Sequence, residues 1–239
     1  MIKPSIILIN PQLGENIGMC ARAMFNCGLV DLRIVNPRDG WPSEKAVSAS
    51  SGALEKGVVA TLYENTAAAV ADCDYIFATT ARPRDMVKEV FTPREAAKKA
   101  RSEKRVGFLF GAERTGLHND DIAIANGVIT IPLNPDYTSL NIAQAVLLVA
   151  YEWFTAGDNT APVQLVTGDS AIASFEEVAG MVSRLEAEMD NGGFFRSPDM
   201  RPTLVRNLQS LFVRMRITSQ EVNTFQGIIS ALINVRKAK

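Results

Sequence analysis

Hydrophobic residues in the first two thirds of the chain form short runs separated by longer amphipathic stretches. The runs are rich in β-branched and aromatic residues and have the length of buried strands. They predict strands at residues 6–9, 32–35, 58–63, 75–79, 106–110 and 128–131. The stretches between them are long enough for helices. Alternating strands and helices predict an α/β fold, with a mostly parallel sheet and flanking helices.

Local signals mark two of these helices. Residues 16–26 have a helical pattern and are followed by Gly28, a residue type that is common after a helix C-terminus. The segment that begins at Thr92, Thr-Pro-Arg-Glu, has the order of residues typical of a helix N-terminus. It predicts a helix that runs to about Arg101.

The pattern changes near residue 157. The next residues contain Gly, Pro, Asn and Asp at the density of a loop and predict a linker. Beyond it, apolar residues recur only at helical spacing, and capping boxes at Ser174 and Thr218 predict two helix starts. We therefore divide the chain into an α/β domain at 1–156, a linker at 157–170 and an α-helical extension at 171–239.

Composition narrows the class of protein. The 239 residues are 47% hydrophobic and 21% charged, which is typical of a globular protein. No apolar run approaches the ~20 residues of a membrane helix, and the N-terminus is predicted to be a strand rather than a signal peptide. We therefore expect a cytoplasmic protein with no membrane partner. Three cysteines without a Cys-x-x-Cys pair and a single histidine predict no metal site.

Basic residues are unevenly distributed, although the net charge is only −1. Residues 82–105 contain nine Lys or Arg against four Asp or Glu, and residues 193–216 contain five Arg against one Asp. Either excess can be an ordinary solvated helix face. Two such regions on a nearly neutral protein also suit docking to a phosphate backbone at chosen points.

Candidate chemistry is concentrated at three junctions, where a strand leads through a turn towards a helix. They are residues 10–18, which Arg22 follows, residues 108–117, and residues 131–145. Such turns expose backbone groups beside a helix N-terminus, where a ligand can meet them. The middle turn, Gly111-Ala-Glu-Arg-Thr-Gly, matches neither Gly-x-Gly-x-x-Gly nor Gly-x-x-x-x-Gly-Lys-Ser/Thr. A NAD-type or P-loop site is therefore disfavoured.

Several residues leave alternatives open. Glu113 is either a ligand-facing carboxylate or an ordinary loop acid, and Arg22 is either a surface arginine or a cation directed at the strand ends. A Ser or Cys nucleophile is disfavoured, because the only histidine is His118 and Gly-x-Ser-x-Gly is absent. The helix after Ser139 has an apolar face that is either core or a subunit interface. Its residues are Leu140, Ala143, Leu147, Ala150, Tyr151 and Phe154.

Taken together, the three junctions resemble those of the SPOUT methyltransferases, and among them the TrmH/TrmJ-like tRNA ribose 2′-O-methyltransferases. The resemblance covers about residues 1–156. The C-terminal helices, with Gly-Phe-Phe-Arg from Gly193 and Arg-Met-Arg-Ile-Thr-Ser-Gln-Glu from Arg214, resemble the extension of the TrmJ branch, which acts at tRNA position 32. Ala112 and Thr138 depart from close relatives, which puts fine substrate preference in doubt.

The resemblance implies a C-terminal trefoil knot, S-adenosylmethionine as the cofactor without a metal, tRNA as the substrate and a homodimer. The implied catalytic residues are Arg22, Asn16 and Ser139. The implied cofactor-binding residues are Thr79, Thr80, Ala81, Gly111, Glu113, Ile131, Ser139, Leu140 and Asn141.

The implied reaction is methyl transfer to a ribose 2′-hydroxyl, most simply at cytidine or uridine 32. The alternatives are a 2′-O-methyltransferase for another tRNA or rRNA site, and an RNA-binding protein of this fold without turnover. An α/β enzyme for a different nucleotide is a further reading, disfavoured by the missing phosphate fingerprints.

Overall fold

The computed structural model describes residues 2–80, 86–195 and 197–237. The chain divides into two compact units, Met1–Thr160 and Ala161–Lys239. The first unit contains every strand found in the described part of the chain, and the second is helical.

The first unit is built on a seven-stranded sheet with the order β3-β2-β1-β6-β4-β7-β5, and all of its strand pairs are parallel. Its strands are β1 Ser5–Ile9, β2 Asp31–Val35, β3 Val59–Tyr63, β4 Tyr75–Thr79, β5 Glu89–Phe91, β6 Val106–Phe110 and β7 Gly127–Ile129. Its helices are α1 Gly14–Asn26, α2 Glu44–Ala49, α3 Ala53–Lys56, α4 Thr66–Val70, α5 Pro93–Ser102, α6 Asn119–Ala123 and α7 Ile142–Thr155.

The central strands of the sheet are buried on both faces, as is usual in a parallel sheet, whereas the edge strands β3 and β5 are partly exposed. Every residue of the neighbouring strands β1 and β6 is buried. On one face, Phe77 and Phe108 stack with ring centroids 5.4 Å apart, within a cluster that includes α1, α5 and α7. The opposite face packs against α4 and α6. The prediction of a parallel sheet with flanking helices is confirmed.

The largest errors in the predicted strands lie at one edge of the sheet. β5 was not predicted, because it has only three residues and none of them is fully buried, so its sequence carries no apolar run. The last predicted strand was expected to reach Ile131, but β7 ends at Ile129. Ile131 therefore lies in the loop beyond the strand rather than in the sheet.

Helix α7 is held at both of its ends. At the start, the side chain of Asn141 accepts a hydrogen bond from the backbone N–H of Ala143 at 2.8 Å. At the end, Arg101 donates to the carbonyl of Trp153 at 2.6 Å, and its guanidinium lies 4.7 Å from the centroid of the Trp153 ring. A cation at a helix C-terminus is favoured by the helix dipole. The Arg101 contacts join the end of α7 to α5, and Asn141 also donates to Asn16 of α1 at 3.1 Å.

The residues predicted to form one apolar face of α7 match its buried side only in part. Ala143 and Ala150 are buried, but Leu147, Tyr151 and Phe154 are exposed, and Leu140 precedes the helix. The buried stripe is instead made of Ile142, Ala143, Val146, Val149, Ala150 and Trp153. The helix is therefore apolar on more than one side, and one of these sides is uncovered in the single chain.

The second unit consists of α8 Phe175–Asn191, α9 Arg201–Met215 and α10 Ser219–Lys237. Ser174 and Glu177 form the expected capping box. Thr218 and Glu221 form the other: Glu221 N–H donates to Thr218 at 3.2 Å, and Thr218 N–H donates to Glu221 at 2.6 Å. A small core around Met181, Val182 and Phe212 joins the helices. None of the described helices in either unit has both the length and the hydropathy to cross a membrane.

Candidate active site

A cavity of about 350 Å³ opens beyond the C-terminal ends of β4, β6 and β7. Ligands of open parallel sheets bind at this edge of the sheet. The cavity is formed by three loop segments, and its walls mix apolar side chains with hydroxyl and backbone groups. The predicted site residues among its lining are Thr79, Thr80, Gly111, Glu113, Ile131, Ser139 and Leu140.

The loop after β6 is a tight turn that leaves no room for side chains at its base. Gly116 N–H donates to the carbonyl of Ala112 at 2.8 Å and closes the turn. A Cβ atom on Gly111 would lie 2.1 Å from the backbone carbon of Gly116 and 2.2 Å from the backbone nitrogen of Leu117. Glycine at position 111 is therefore required by space, and it lets the backbone line the cavity directly.

A chain of hydrogen bonds joins the three junctions. Glu113 accepts from the backbone N–H of Gln12 at 3.0 Å and from Nδ2 of Asn16 at 2.5 Å. Oδ1 of Asn16 accepts from Nδ2 of Asn141 at 3.1 Å. Asn16 is 97 positions from Glu113 and 125 positions from Asn141 in the sequence, yet its side-chain amide contacts both. This amide is buried, since Asn16 is only 5% exposed.

The chemistry of each group fixes which atom donates and which accepts in these hydrogen bonds. A carboxylate only accepts hydrogen bonds, so the amide NH₂ of Asn16 must face Glu113 and its oxygen must face Asn141. Asn141 in turn uses its own oxygen to cap α7. Glu113 therefore links the loops of two junctions, and its contact with a ligand stays a prediction.

The strand-end residues are placed by the sheet itself. Thr79 donates from its hydroxyl to the carbonyl of Leu109 at 2.8 Å, and Thr80 N–H donates to the carbonyl of Ile129 at 3.0 Å. Both residues line the cavity. The next predicted cofactor residue, Ala81, lies outside the described residues.

Three predicted site residues, Asn16, Asn141 and Arg22, do not line the cavity. Asn16 and Asn141 are joined to the cavity residue Glu113 by hydrogen bonds, but Arg22 lies elsewhere. It is exposed on α1 and is not part of the cavity lining. Its guanidinium donates to the hydroxyl of Ser51 at 3.1 Å. The reason is helical geometry: Asn16 and Arg22 are six positions apart on α1, so their side chains leave the helix in different directions.

The cavity also contains residues that the sequence did not single out. They include Phe110 and Ile129 at the strand ends, Arg114 and Thr115 in the tight turn, and Leu133 in the loop after β7. All of them except Ile129, which ends β7, belong to the junctions, so position beside a predicted residue was the only available signal.

The thiol of Cys20 on α1 is fully buried, an environment that disfavours the thiolate. Burial raises the pKa of Cys20, and the negative charge of Glu113 raises it further. A thiol with a raised pKa carries little thiolate near neutral pH and reacts slowly. The disfavoured reading of a Cys nucleophile gains no support from this residue.

Replacing Gly111 by alanine is expected to destabilise the fold by about 1–3 kcal/mol, because the added methyl group meets backbone that cannot move aside. The cavity should deform with it, so ligand affinity should fall as well. Denaturant unfolding and calorimetry measure the two effects.

Gly180→Ala is the matched control. No atom lies within 4 Å of a Cβ at Gly180, which is in α8, so alanine there should stabilise by about 0.5–1 kcal/mol. Equal stability of the Gly111 and Gly180 variants would contradict the steric argument.

The strand ends of the parallel sheet and two of the junctions thus line one cavity, and the third junction is joined to them through Asn16. The chain belongs to the SpoU rRNA Methylase family, whose family model matches residues 3–151. The match therefore covers nearly the whole of the first unit, Met1–Thr160.

Individual relatives match almost the whole chain. The tRNA (cytidine/uridine-2'-O-)-methyltransferase TrmJ of Sodalis glossinidius (strain morsitans) is 35% identical, over 97% of this chain and 92% of its own length. The crystal structure of TrmJ from Z. mobilis ZM4 is 45% identical, with a TM-score of 0.83 over 97% of this chain and 99% of that chain. A probable methylase family protein from Haemophilus influenzae Rd KW20 is 30% identical, with a TM-score of 0.60 over 99% and 98% of the two chains.

Proposed function

We propose that this protein transfers a methyl group from S-adenosylmethionine to the ribose 2′-hydroxyl of cytidine or uridine at position 32 of tRNA. The observation that carries the proposal is the cavity that two of the junctions line, with the third junction joined to them by the Glu113–Asn16–Asn141 hydrogen bonds. The full-length similarity to relatives named tRNA (cytidine/uridine-2'-O-)-methyltransferase supports tRNA as the substrate.

The residues of the cavity fit the proposed cofactor. The apolar side chains of Ile131 and Leu140 suit an adenine ring, while the hydroxyls of Thr79 and Ser139 and the backbone at Gly111 suit polar groups of the ligand. The cavity volume of about 350 Å³ is within the range for a small-molecule site. When bound, S-adenosylmethionine supplies an electrophilic methyl group on a sulfonium centre.

The protein's contribution to the reaction is positioning and the control of charge. Asn16 and Asn141 hold the loops in register, and Ser139 lies at the cavity wall beside the start of α7. We assign Arg22 to orient the 2′-oxygen and to stabilise the negative charge that develops on it. A guanidinium, with a pKa above ~12, is a poor general base, so we assign it no proton-accepting role.

We further propose that the active unit is a homodimer in which Arg22 serves the cavity of the partner subunit. Arg22 lies on the surface of α1, away from the cavity of its own chain. The neighbouring helix α7 leaves Leu147 41% and Tyr151 56% exposed, and Met19 on α1 is 39% exposed. Apolar side chains uncovered together on two adjacent helices are characteristic of an interface between subunits.

Replacing Tyr151 by glutamate is expected to convert the dimer into monomers, because the new charge would be buried without a partner at the interface. Methyl transfer should fall with dimerisation while the fold is retained. Light scattering after gel filtration gives the mass, and circular dichroism checks the fold. Val163→Glu, on an exposed residue of the C-terminal unit, is the control. An unchanged mass for the Tyr151 variant would contradict the proposed interface.

The proposed function is tested by radiolabelled methyl transfer to bulk tRNA, followed by mass spectrometry of the nuclease-digested product. A 2′-O-methylated cytidine or uridine from position 32 is the expected result. Methylation of another tRNA position, or of rRNA, would support the wider family activity instead. RNA binding without transfer would support a protein that lacks turnover.

Calorimetry separates the cofactor classes. S-adenosylhomocysteine should bind, whereas NAD and ATP should not.

We also propose the trefoil knot, the domain boundaries at 156 and 170, and a cytoplasmic location. The last is supported by three free cysteines, which fit a reducing compartment.

A further inference from the structure

Strands β1 and β2 lie side by side in the sheet and end in the same way. Each is followed by an asparagine and then a proline, Asn10-Pro11 after β1 and Asn36-Pro37 after β2. The backbone φ is 51° at Asn10 and 46° at Asn36, so both residues are in the left-handed region. Residues other than glycine adopt this conformation at a cost, which is smallest for asparagine and aspartate. The two strands therefore leave the sheet through the same costly backbone conformation.

The side chains of these two asparagines bind each other. Nδ2 of Asn36 donates a hydrogen bond to Oδ1 of Asn10 at 2.9 Å. Two backbone hydrogen bonds join the same segments. Asn10 N–H donates to the carbonyl of Val35 at 2.9 Å, and Arg38 N–H donates to the carbonyl of Pro11 at 3.0 Å. The start of the first junction, residues 10–18, is thus tied to the end of β2 and to the loop after it.

The asparagine pair is close in sequence to the helix that carries the predicted catalytic residues. Helix α1 begins at Gly14, four positions after Asn10, and carries Asn16 and Arg22. Between Asn10 and α1, Gln12 N–H donates to Glu113 at 3.0 Å. Because so few residues separate Asn10 from α1, a change of chain direction at Asn10 is expected to move the helix.

The chain that follows Asn36 also packs directly against α1. A Cβ atom on Gly18 of α1 would lie 2.1 Å from the carbonyl oxygen of Ala46 in α2. A Cβ atom on Gly14 would lie 2.3 Å from Oγ of Ser43, the N-cap residue of α2. Glycine at both positions lets the two helices approach closely. The start of α1 is therefore held by the chain that follows β2 as well as by the contact with Glu113.

The asparagine pair itself is separate from the proposed cofactor site. Neither residue lines the cavity, which opens beyond β4, β6 and β7. Asn10 is half-buried and Asn36 is exposed, and a hydrogen bond between neutral amides near solvent contributes little to stability. Two costly backbone conformations that accompany one weak hydrogen bond indicate that the pair fixes a geometry rather than stabilises the fold.

We propose that Asn10 and Asn36 are positioning residues for methyl transfer. Their hydrogen bond sets the direction in which the first junction leaves the sheet, and it thereby places Asn16 and Arg22 on α1. This inference rests on the proposed function, because it names two further residues on which the same reaction depends. A misplacement of about 1 Å caused far from the reacting atoms can lower a rate about 10²-fold, so a weak hydrogen bond can have a large kinetic effect.

Two substitutions at position 10 separate the hydrogen bond from the backbone conformation. Asn10→Gly removes the side-chain acceptor and keeps the left-handed backbone without strain. Asn10→Asp keeps both, because a carboxylate oxygen accepts from Nδ2 of Asn36 and aspartate tolerates the left-handed region. Both variants of the full-length protein should unfold within about 4 °C of the wild-type protein.

Steady-state kinetics with tRNA should distinguish these two variants. The glycine variant should lower kcat at least about tenfold, because the first junction and α1 lose their fixed direction. Its KM for tRNA and its affinity for S-adenosylhomocysteine should be unchanged, since the pair is outside the cavity. The aspartate variant should retain most of the wild-type kcat.

A double variant tests whether the effect passes through α1. Added to Arg22→Ala, the Asn10→Gly substitution should cause a much smaller loss than it does alone, because both changes act on the same guanidinium. Asn65→Gly is the matched control. It removes an exposed asparagine hydrogen bond at the N-cap of α4, where glycine is nearly as good a cap, and it should leave kcat unchanged.

Hydrogen–deuterium exchange gives a readout that does not depend on activity. The backbone amide of Gln12, which donates to Glu113, should exchange faster in Asn10→Gly and at the wild-type rate in Asn10→Asp.

An unchanged kcat in the glycine variant overturns the inference. Equal losses in the glycine and aspartate variants overturn it too, as does a loss that multiplies in full with that of Arg22→Ala. A wild-type protein that transfers no methyl group to tRNA contradicts the proposed function alone, and the exchange of the Gln12 amide then decides whether the pair holds the first junction. Wild-type turnover together with unchanged kcat and exchange in Asn10→Gly contradicts this inference alone.

Discussion

Replacing Arg22 by alanine is expected to lower the rate of methyl transfer by about 10²–10³, the usual cost of removing one group that stabilises developing negative charge. The affinity for S-adenosylhomocysteine should stay the same, because we assign Arg22 to the 2′-oxygen of the substrate and not to the cofactor. Single-turnover kinetics with radiolabelled donor measures the rate, and calorimetry measures the affinity. Equal loss of both would reject the assignment.

Two control variants test the contact of Arg22 with Ser51 and the need for a guanidinium at position 22. Ser51→Ala removes the hydroxyl that Arg22 contacts and should leave the rate nearly unchanged, since the contact is exposed and weak. Lys at position 22 should restore little activity if the planar guanidinium orients two oxygens at once.

Mixed dimers decide whether Arg22 acts across the interface. One subunit carries Arg22→Ala and the other carries Gly111→Ala, which damages the cavity. If Arg22 serves the partner, the mixed dimer contains one intact site, and activity returns although each homodimer is inactive. If Arg22 serves its own cavity, no intact site forms and activity stays absent.

Replacing Asn16 by aspartate is expected to be the most damaging isosteric change in the chain. The new carboxylate would face the Glu113 oxygen that the Asn16 amide contacts at 2.5 Å, in a position only 5% exposed. It would lose a charge-assisted hydrogen bond and add like-charge repulsion, for a combined cost of roughly 2–4 kcal/mol at neutral pH. Methyl transfer should be lost as well, since three loops lose their common anchor.

The stability of this variant should depend on pH with a defined sign. Two adjacent carboxylates, the new one at a buried position and Glu113 at a partly exposed one, favour sharing a proton, so the folded variant would keep that proton at pH values where the unfolded chain has lost it. Stability therefore decreases as pH rises above about 4, relative to the wild-type protein, and the difference between them narrows in acid. Denaturant unfolding at several pH values measures this difference.

Asn65→Asp is the matched control. Asn65 caps α4 by accepting from the backbone N–H of Ala68 at 2.8 Å, and aspartate caps a helix equally well. That variant should be as stable as the wild-type protein at neutral pH. A neutral effect of Asn16→Asp, by contrast, would show that the link between the junctions carries little free energy.

The local structure of the chain could be predicted wherever the residues that stabilise a helix or strand lie within that same segment. The segment from Thr92 predicts a helix to about Arg101, and α5 spans Pro93–Ser102 because capping and proline act within one turn. Strands β1 and β6 were predicted for a similar reason, since both are buried throughout and leave continuous apolar runs. β5 has no such run, because its edge position leaves it exposed.

The candidate site was predicted as a set of residues but not as a geometry. Thr79, Gly111, Ile131 and Leu140 could be named from the family resemblance, and all of them line the cavity. The partner of Glu113 could not be named, because a hydrogen bond across 97 positions leaves no periodic signal. The apolar surface of α7 posed a related problem: periodicity shows that several sides are apolar, but it does not show which side the rest of the chain covers.

The sequence by itself determined the α/β alternation, the helical extension and the three junctions, because propensity, capping and hydrophobic period act over neighbouring residues. Only the tertiary structure decided that Glu113, Asn16 and Asn141 meet, that Arg22 points away from its own cavity, and that α7 leaves Leu147 and Tyr151 uncovered. Those outcomes depend on the order of strands in the sheet and on the rotation of each helix against it, which contacts between distant segments fix.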